Sequence, residues 1–308
     1  MRFSPAVKLI FAAALAMGAA MTAFAAARLP AGEPARAVHL SSFEWHPAAG
    51  VKANWFGGFS ALELSADGRS MVVMTDRSHI LTADIQRSGD MVTGIRAGAE
   101  IKLRSSKGRT LIGRVVDSEG LAVTPSGEIY VSFEGVSRVA RHRKVTSKAE
   151  VLPRPQSFRT LPLNKALEAL AIDKKGHLYT MPERAFTQNG DIPVFRWDGR
   201  QWSQPFTLPA RGRFLPVGAD FGPDGRFYLL ERDFTLLGFR SRLRRWELKD
   251  GQMASEETLF QTAPSVHDNL EGVSVWRDSQ DRLRATMISD DNFNAFQTTE
   301  LVEYVLPD

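Results

Sequence analysis

Carboxylates recur at matching places along this chain, and their spacing could hold a cation or manage a proton. Glu119, Glu168 and Glu271 each stand before a small residue and an apolar run, whereas Asp76, Glu134, Glu183, Glu231 and Asp290 each close a second apolar run. Carboxylates gathered in one place repel one another, raise one another's pKa, or share a cation. Three are followed directly by arginine, in Asp76-Arg77, Glu183-Arg184 and Glu231-Arg232. Such arginines either compensate charge or present a fork to a phosphate or carboxylate group. The densest ligand run is Ser289-Asp290-Asp291-Asn292-Phe293, and His267-Asp268-Asn269-Leu270-Glu271 is the other. His267 there is either a base or ligand acting near neutral pH, or a loop histidine without a role. Hard oxygen donors favour calcium or magnesium. With no cysteine and six histidines in 308 residues, thiolate zinc sites, thiol nucleophiles and disulfide scaffolds are excluded and a transition-metal centre is disfavoured.

The elements that must position these acids are written as a repeat. Leu121-Ala122-Val123 and Ile129-Tyr130-Val131 flank a Pro-Ser-Gly turn, and Phe227-Tyr228-Leu229-Leu230 follows a Pro-Asp-Gly turn. Both read as β-hairpins. Two further alternating runs follow each hairpin, as in 193–197 with 201–208 and 242–248 with 257–261, giving four strands per unit. The turn glycines Gly68, Gly127, Gly176 and Gly225 are spaced by 59, 49 and 49 residues. Periods of this size belong to β-propeller blades. The fifth unit, at 272–276, 283–288 and 300–306, is one strand short, and the run Ala37 to Trp45 supplies it, which removes two exposed edges. The expected fold is all-β, a single propeller of five four-stranded blades closed by its terminal strands. A sixth is allowed if the long first unit, with its enlarged loop around Lys102 to Arg109, hides a degenerate blade. Because a blade's first strand lines the channel and its second runs back, all eight acids are expected at one channel mouth. The competing expectation is that such acids only accept hydrogen bonds from neighbouring blades.

Arg2 and Lys8 precede an apolar, alanine-rich stretch from Leu9 to about Ala27 that ends in Ala-x-Ala patterns. This is the layout of a cleaved signal peptide over 1–27, leaving a propeller over 28–308 in the periplasm or outside the cell. A membrane anchor is the alternative, but no charged stop-transfer cluster follows. Removing Arg2 and Lys8 takes the 39 basic residues to 37 against 35 acidic ones. That balance, with no basic stripe, disfavours nucleic acid as a partner. Nucleophile-elbow, P-loop, dinucleotide and zinc-protease motifs are absent.

Several of these segments together resemble the phytase-like ("esterase-like activity of phytase") bacterial propellers. They are Gly57-Gly58-Phe59-Ser60-Ala61-Leu62, Asp117-Ser118-Glu119-Gly120-Leu121-Ala122, Asn164 with Glu168-Ala169-Leu170-Ala171, Asn269-Leu270-Glu271-Gly272-Val273, and Ser289 to Phe293 with Gln297-Thr298-Thr299-Glu300-Leu301. The resemblance implies a secreted or periplasmic propeller that hydrolyses phosphate or other esters. The fourth unit departs from the pattern, with Val217 where a Glu is expected. The resulting expectation is a monomeric hydrolase of small esters. A divalent cation, calcium first, is held by Glu119, Glu168, Glu271, Asp290 and Asp291, with Glu168 and His267 as catalytic groups and Arg77, Arg184 and Arg232 offsetting charge on the departing group. A noncatalytic propeller binding a ligand or protein on that face, and a calcium-dependent lactonase, are the alternatives.

Overall fold

Alternating apolar residues fold into 21 strands in a computed structural model, which describes residues 36–47, 54–163 and 166–308. The signal segment and Asn164 lie outside the described residues. Blade I is β2 (Phe59–Leu64), β3 (Ser70–Thr75), β4 (His79–Ser88) and β5 (Met91–Ala97), with the short β6 (Ile101–Lys102) also on β4. Blade II is β7 (Ser118–Val123), β8 (Ile129–Phe133), β9 (Arg138–His142) and β10 (Glu150–Val151). Blade III is β11 (Leu167–Ile172), β12 (Leu178–Pro182), β13 (Ile192–Trp197) and β14 (Trp202–Leu208), and blade IV is β15 (Leu215–Phe221), β16 (Phe227–Thr235), β17 (Gly238–Lys249) and β18 (Gln252–Gln261).

Blade V closes the ring as expected. Its β19 (Leu270–Arg277), β20 (Leu283–Ser289) and β21 (Glu300–Val305) are completed by β1 (Val38–Glu44), antiparallel to β21. The blades therefore number five. The extra residues of the first unit form β6, a turn at Ser105 to Arg109 and a 3-10 turn at Gly113–Val115.

Each inner strand slips register near its start, between Phe59 and Ala61, Ser118 and Leu121, Leu167 and Leu170, Pro216 and Gly218, and Leu270 and Gly272. The residues in these bulges are Ser60, Glu119, Glu168, Val217 and Glu271. A bulge leaves one residue unpaired and re-aims its side chain. The repeated glutamates thus stand where the backbone turns side chains out of the ladder.

Glycine follows the bulge in three blades because the next blade comes too close for any side chain. A Cβ on Gly120 would lie 2.6 Å from the carbonyl oxygen of Glu168, one on Gly218 2.3 Å from that of Glu271, and one on Gly272 2.9 Å from Cα of Ala61. The partners of Gly120 and Gly218 are backbone atoms of the neighbouring bulge, so an added methyl must move the ring residue itself. Overpacking of this kind costs about 1–3 kcal/mol. Gly218→Ala is therefore expected to lower the melting temperature by roughly 2–10 °C, as read by calorimetry, and an unchanged transition would show that the blades do not pack this tightly.

Candidate active site at the acidic channel mouth

Three positions per blade meet at one mouth. The first is the bulge, carrying Ser60, Glu119, Glu168, Val217 and Glu271. The second lies at or just past the end of the second strand's pairing with the inner strand. Backbone bonds fix it there: the N–H groups of Asp76, Glu134, Glu183 and Asp290 donate to the carbonyls of Gly58, Asp117, Ala166 and Asn269. Those four acceptors define the third position, before the bulge.

Blade IV breaks the pattern. Pro216 pairs with Glu231 and Leu215 with Arg232, so Arg232 stands where the other blades carry an acid. The expectation for Glu231 is thereby corrected. A shift of one residue turns a strand side chain to the opposite face, and Glu231 is fully buried inside its blade. It accepts from Nε of Arg242 at 2.7 Å and from Nε and Nη2 of Arg244 at 2.7 and 2.5 Å. The mouth accordingly collects seven of the eight acids, with one arginine at the second position.

Arg232 ties three blades together. Its guanidinium donates to Glu271, to Oδ1 of Asn269 at 2.5 Å and to Glu183 at 3.4 Å. Asn269 also donates from its amide nitrogen to Glu271 at 2.8 Å. Burial alone would lower the pKa of Arg232, but the charges of Glu271, Glu168, Glu183 and Asp290 raise it above the ordinary value.

The acids around it are short of compensation. Burial, reinforced by neighbouring carboxylates, holds Glu119 and Glu168 well above the usual carboxylate range. Burial also raises Asp76 to about 6, against the opposing charge of Arg77, and Glu134 to about 7. Asp290 is pushed up to about 8 by burial and then by Glu271, and Glu271 itself is raised by burial despite Arg232. Two oxygens, Oε2 of Glu168 and Oδ1 of Asp76, are buried with no hydrogen-bond partner.

Among the described residues, Asp117, Glu119 and Glu134 form a group whose ligand oxygens lie within 4.8 Å of one another. Asp117 is not among the ligands expected from the sequence, although it sits two residues before Glu119, at the third position that Asn269 fills in blade V. Glu168 faces this group from the next blade, and its charge is among the causes that raise Glu119.

The remaining expected residues fall in different places. Asp290 joins the mouth, its Oδ1 accepting the Asn292 N–H at 2.6 Å. Asp291 braces loops instead: its Oδ1 accepts the N–H groups of Gly58 at 2.9 Å and Phe293 at 3.0 Å, and its Oδ2 accepts Oγ1 of Thr299 at 3.1 Å. Arg77 lies over the Phe293 ring, 3.5 Å from its centroid. Arg184 pairs with Glu183 at 3.0 Å and is half exposed. His267 stands outside this group, its Nε2 2.7 Å from the Tyr304 hydroxyl and its ring against His39.

Further along the inner strands the acids do accept backbone bonds. Oδ2 of Asp220 accepts the Val275 N–H at 2.6 Å, Oγ of Ser274 accepts the Leu64 N–H at 3.0 Å and donates to Glu63 at 3.3 Å. Burial raises Glu63 and brings Asp220 to about 7. These acids latch blade to blade, as Glu134 does at the mouth by accepting the Ala166 N–H at 3.1 Å, whereas Oε2 of Glu168 and Oδ1 of Asp76 have no donor.

Among the described residues no helix is long and apolar enough to cross a membrane. The profile of the family described as "Phytase-like: Esterase-like activity of phytase" matches residues 54–293. No curated protein matches the chain. Among solved structures it is similar to the catalytic domain of a GH62 α-L-arabinofuranosidase from Coprinopsis cinerea, at 10% identity over 88% of this chain and 96% of that one, with a TM-score of 0.53. It is also similar to the α-L-arabinofuranosidase PaAbf62A from Podospora anserina, at 10% identity over 89% of this chain and 97% of that one, with a TM-score of 0.50. At such identities the likeness shows the fold alone.

Proposed function

The chain belongs to the phytase-like family, and on that premise we propose that it is a periplasmic hydrolase of phosphate or other small esters. It works as a monomer at the acidic mouth, and neither nucleic acid nor a membrane is its partner. The observation that carries the reading is the pairing of a buried, unpartnered Glu168 oxygen with the Asp117, Glu119 and Glu134 group beside it. An oxygen-only donor set of this charge fits a hard divalent cation, calcium first. Asp117, Glu119, Glu134 and Glu168 would hold the ion, with Glu271 and Asp290 at its periphery; when bound, it supplies Lewis acidity toward an ester oxygen.

The chain's own groups supply the rest. Without the ion, burial holds Glu168 above the usual carboxylate range; any proton there gives way to the ion, and the Glu168 oxygen left free of it can accept a proton from the attacking water as a general base. Arg232 carries positive charge at the centre of the mouth and stabilises negative charge developing on a departing phosphate or carboxylate. Asn269 and Glu183 orient that guanidinium from two sides.

The test is turnover of a panel of phosphomonoesters, acyl esters and lactones, with calcium and with a chelator. Turnover that needs calcium and falls about 100-fold or more in Glu168→Gln is expected. Turnover untouched by Glu168→Gln and Asp290→Asn would overturn the site. Calcium binding without turnover of any panel member would leave a noncatalytic binding propeller, and turnover of lactones alone would make it a lactonase.

A further inference from the structure

A cavity of about 630 Å³ opens between blades IV and V, away from the group of close carboxylates. Its walls come from the β16–β17 hairpin, the segment before β19 and the loop joining β20 to β21. Phe234, Phe239, Val266 and Phe296 give an otherwise polar cavity an apolar side, and three of them are strongly exposed: Phe234 61%, Val266 53% and Phe296 96%. Aromatic side chains left this open around a concavity are characteristic of a binding surface rather than a core.

The polar groups on this cavity divide into engaged and open ones. Asp268 is engaged, because its two oxygens accept from the Asn269 N–H, Nε2 of Gln297 and the Thr298 N–H. His267 is unsatisfied at one end. The residue is only 7% exposed and its Nε2 meets Tyr304, but its Nδ1 has no hydrogen-bond partner. Oε1 of Glu300, which accepts the Asp268 N–H at 2.8 Å, lies 3.9 Å from that nitrogen, beyond hydrogen-bond range. Glu300 also lines the cavity, and no lysine or arginine does.

We infer that this cavity is a second ligand site, taking a small aromatic molecule whose hydroxyl or amino group reaches His267 Nδ1 and Glu300. The ring of such a ligand packs between Phe234, Phe239 and Phe296, and its polar group bridges the unsatisfied nitrogen and the carboxylate. His267 is neutral, since burial and the neighbouring His39 lower its pKa to about 4. With two acids and no cation on the walls, an anionic ligand is repelled. The site therefore selects against the phosphate esters proposed for the channel mouth, and it stands whether or not that proposal does.

Three probes that share one ring and chain length decide it: 2-phenylethanol, phenethylamine and phenylacetate, titrated by calorimetry and by ligand-observed NMR. The first two are expected to bind and phenylacetate to bind at least tenfold more weakly. Phe296→Ala and Val266→Asp alter exposed side chains and leave the fold intact; each is expected to weaken 2-phenylethanol binding at least fivefold. His267→Phe keeps the packing on Tyr304 and His39 and is expected to remove the advantage of 2-phenylethanol over toluene. Failure of all three probes to bind, phenylacetate binding as tightly as the others, or affinities unmoved by Phe296→Ala and Val266→Asp would each overturn the site.

Discussion

Arg232→Met is expected to lower the melting temperature by on the order of 10 °C at pH 8 and by far less at pH 5. Removing one member of a buried charge cluster costs about 3–5 kcal/mol, because the partner charges are left uncompensated, and for a chain of this size each kcal/mol is about 2–4 °C. Arg232 is that member here: it stands among Glu271, Glu183, Glu168 and Asp290, and each of them raises its pKa. Glu271 and Glu168 are raised and Asp290 is raised to about 8, so as pH falls toward 5 they take up protons and the substitution leaves less unbalanced charge. Methionine keeps the apolar stem, which isolates charge from packing. Arg184→Met is the control, since its pair with Glu183 is half exposed and exposed pairs contribute about 1 kcal/mol or less. An equal loss at both pH values would assign the effect to packing and sink the electrostatic account.

The five blades and their closure were legible because hairpin chemistry is local. A turn glycine between two alternating runs is a short-range signal, and it recurs at Gly127, Gly176 and Gly225 with a period of 49 residues. The ring of acids followed from topology alone. Its one misreading falls in blade IV, where an acid at the mouth is expected of Glu231 and an arginine beside it of Arg232. The spacing held the correction: Glu134 and Glu183 lie seven residues past their turn glycines, as does Arg232, whereas Glu231 lies six past. Analogy with the other blades points to an acid there.

Other features had no sequence signal of that kind. Asp291 and Asp290 are adjacent and chemically identical, and only tertiary hydrogen bonds from Gly58 and Thr299 make one a brace. Asp117 becomes a candidate ligand only because folding brings its oxygen within reach of Glu119 and Glu134. For His267, a neighbour in sequence of Glu271, the surroundings are decided by Tyr304 and His39 on the outer strands of blade V. Hydrogen-bond saturation is a property of the packed molecule, so residue type and spacing do not reveal it.

Between pH 4 and pH 8 the metal-free protein is expected to lose stability, and calcium is expected to restore it only toward the upper end. A carboxylate whose pKa is raised by folding contributes stability below its unfolded pKa, near 4, and loses that contribution as pH rises through its folded value. Asp76, Glu134 and Asp290 have folded values of about 6, 7 and 8, which sets the window. Each tenfold change in proton affinity on folding is worth about 1.4 kcal/mol. Reduced by solvent screening at the partly exposed Glu134, the three acids together imply a loss of several kcal/mol. A cation competes with protons for the same oxygens, so its effect must grow as the protons leave. At 100 times its dissociation constant, calcium should add about 2.7 kcal/mol, a rise of roughly 5–10 °C at pH 8 with little change at pH 5. Asp220, raised to about 7, also titrates in this range, and burial raises Glu63 as well, but both latch blades through backbone N–H and hydroxyl groups. Asp220→Asn should thus flatten part of the pH dependence while leaving the calcium response intact, whereas Glu168→Gln should abolish the calcium response. A melting temperature that ignores calcium at pH 8 would leave the mouth acids as a burden on the fold with no cation to relieve it, and the hydrolase reading would lose its physical basis.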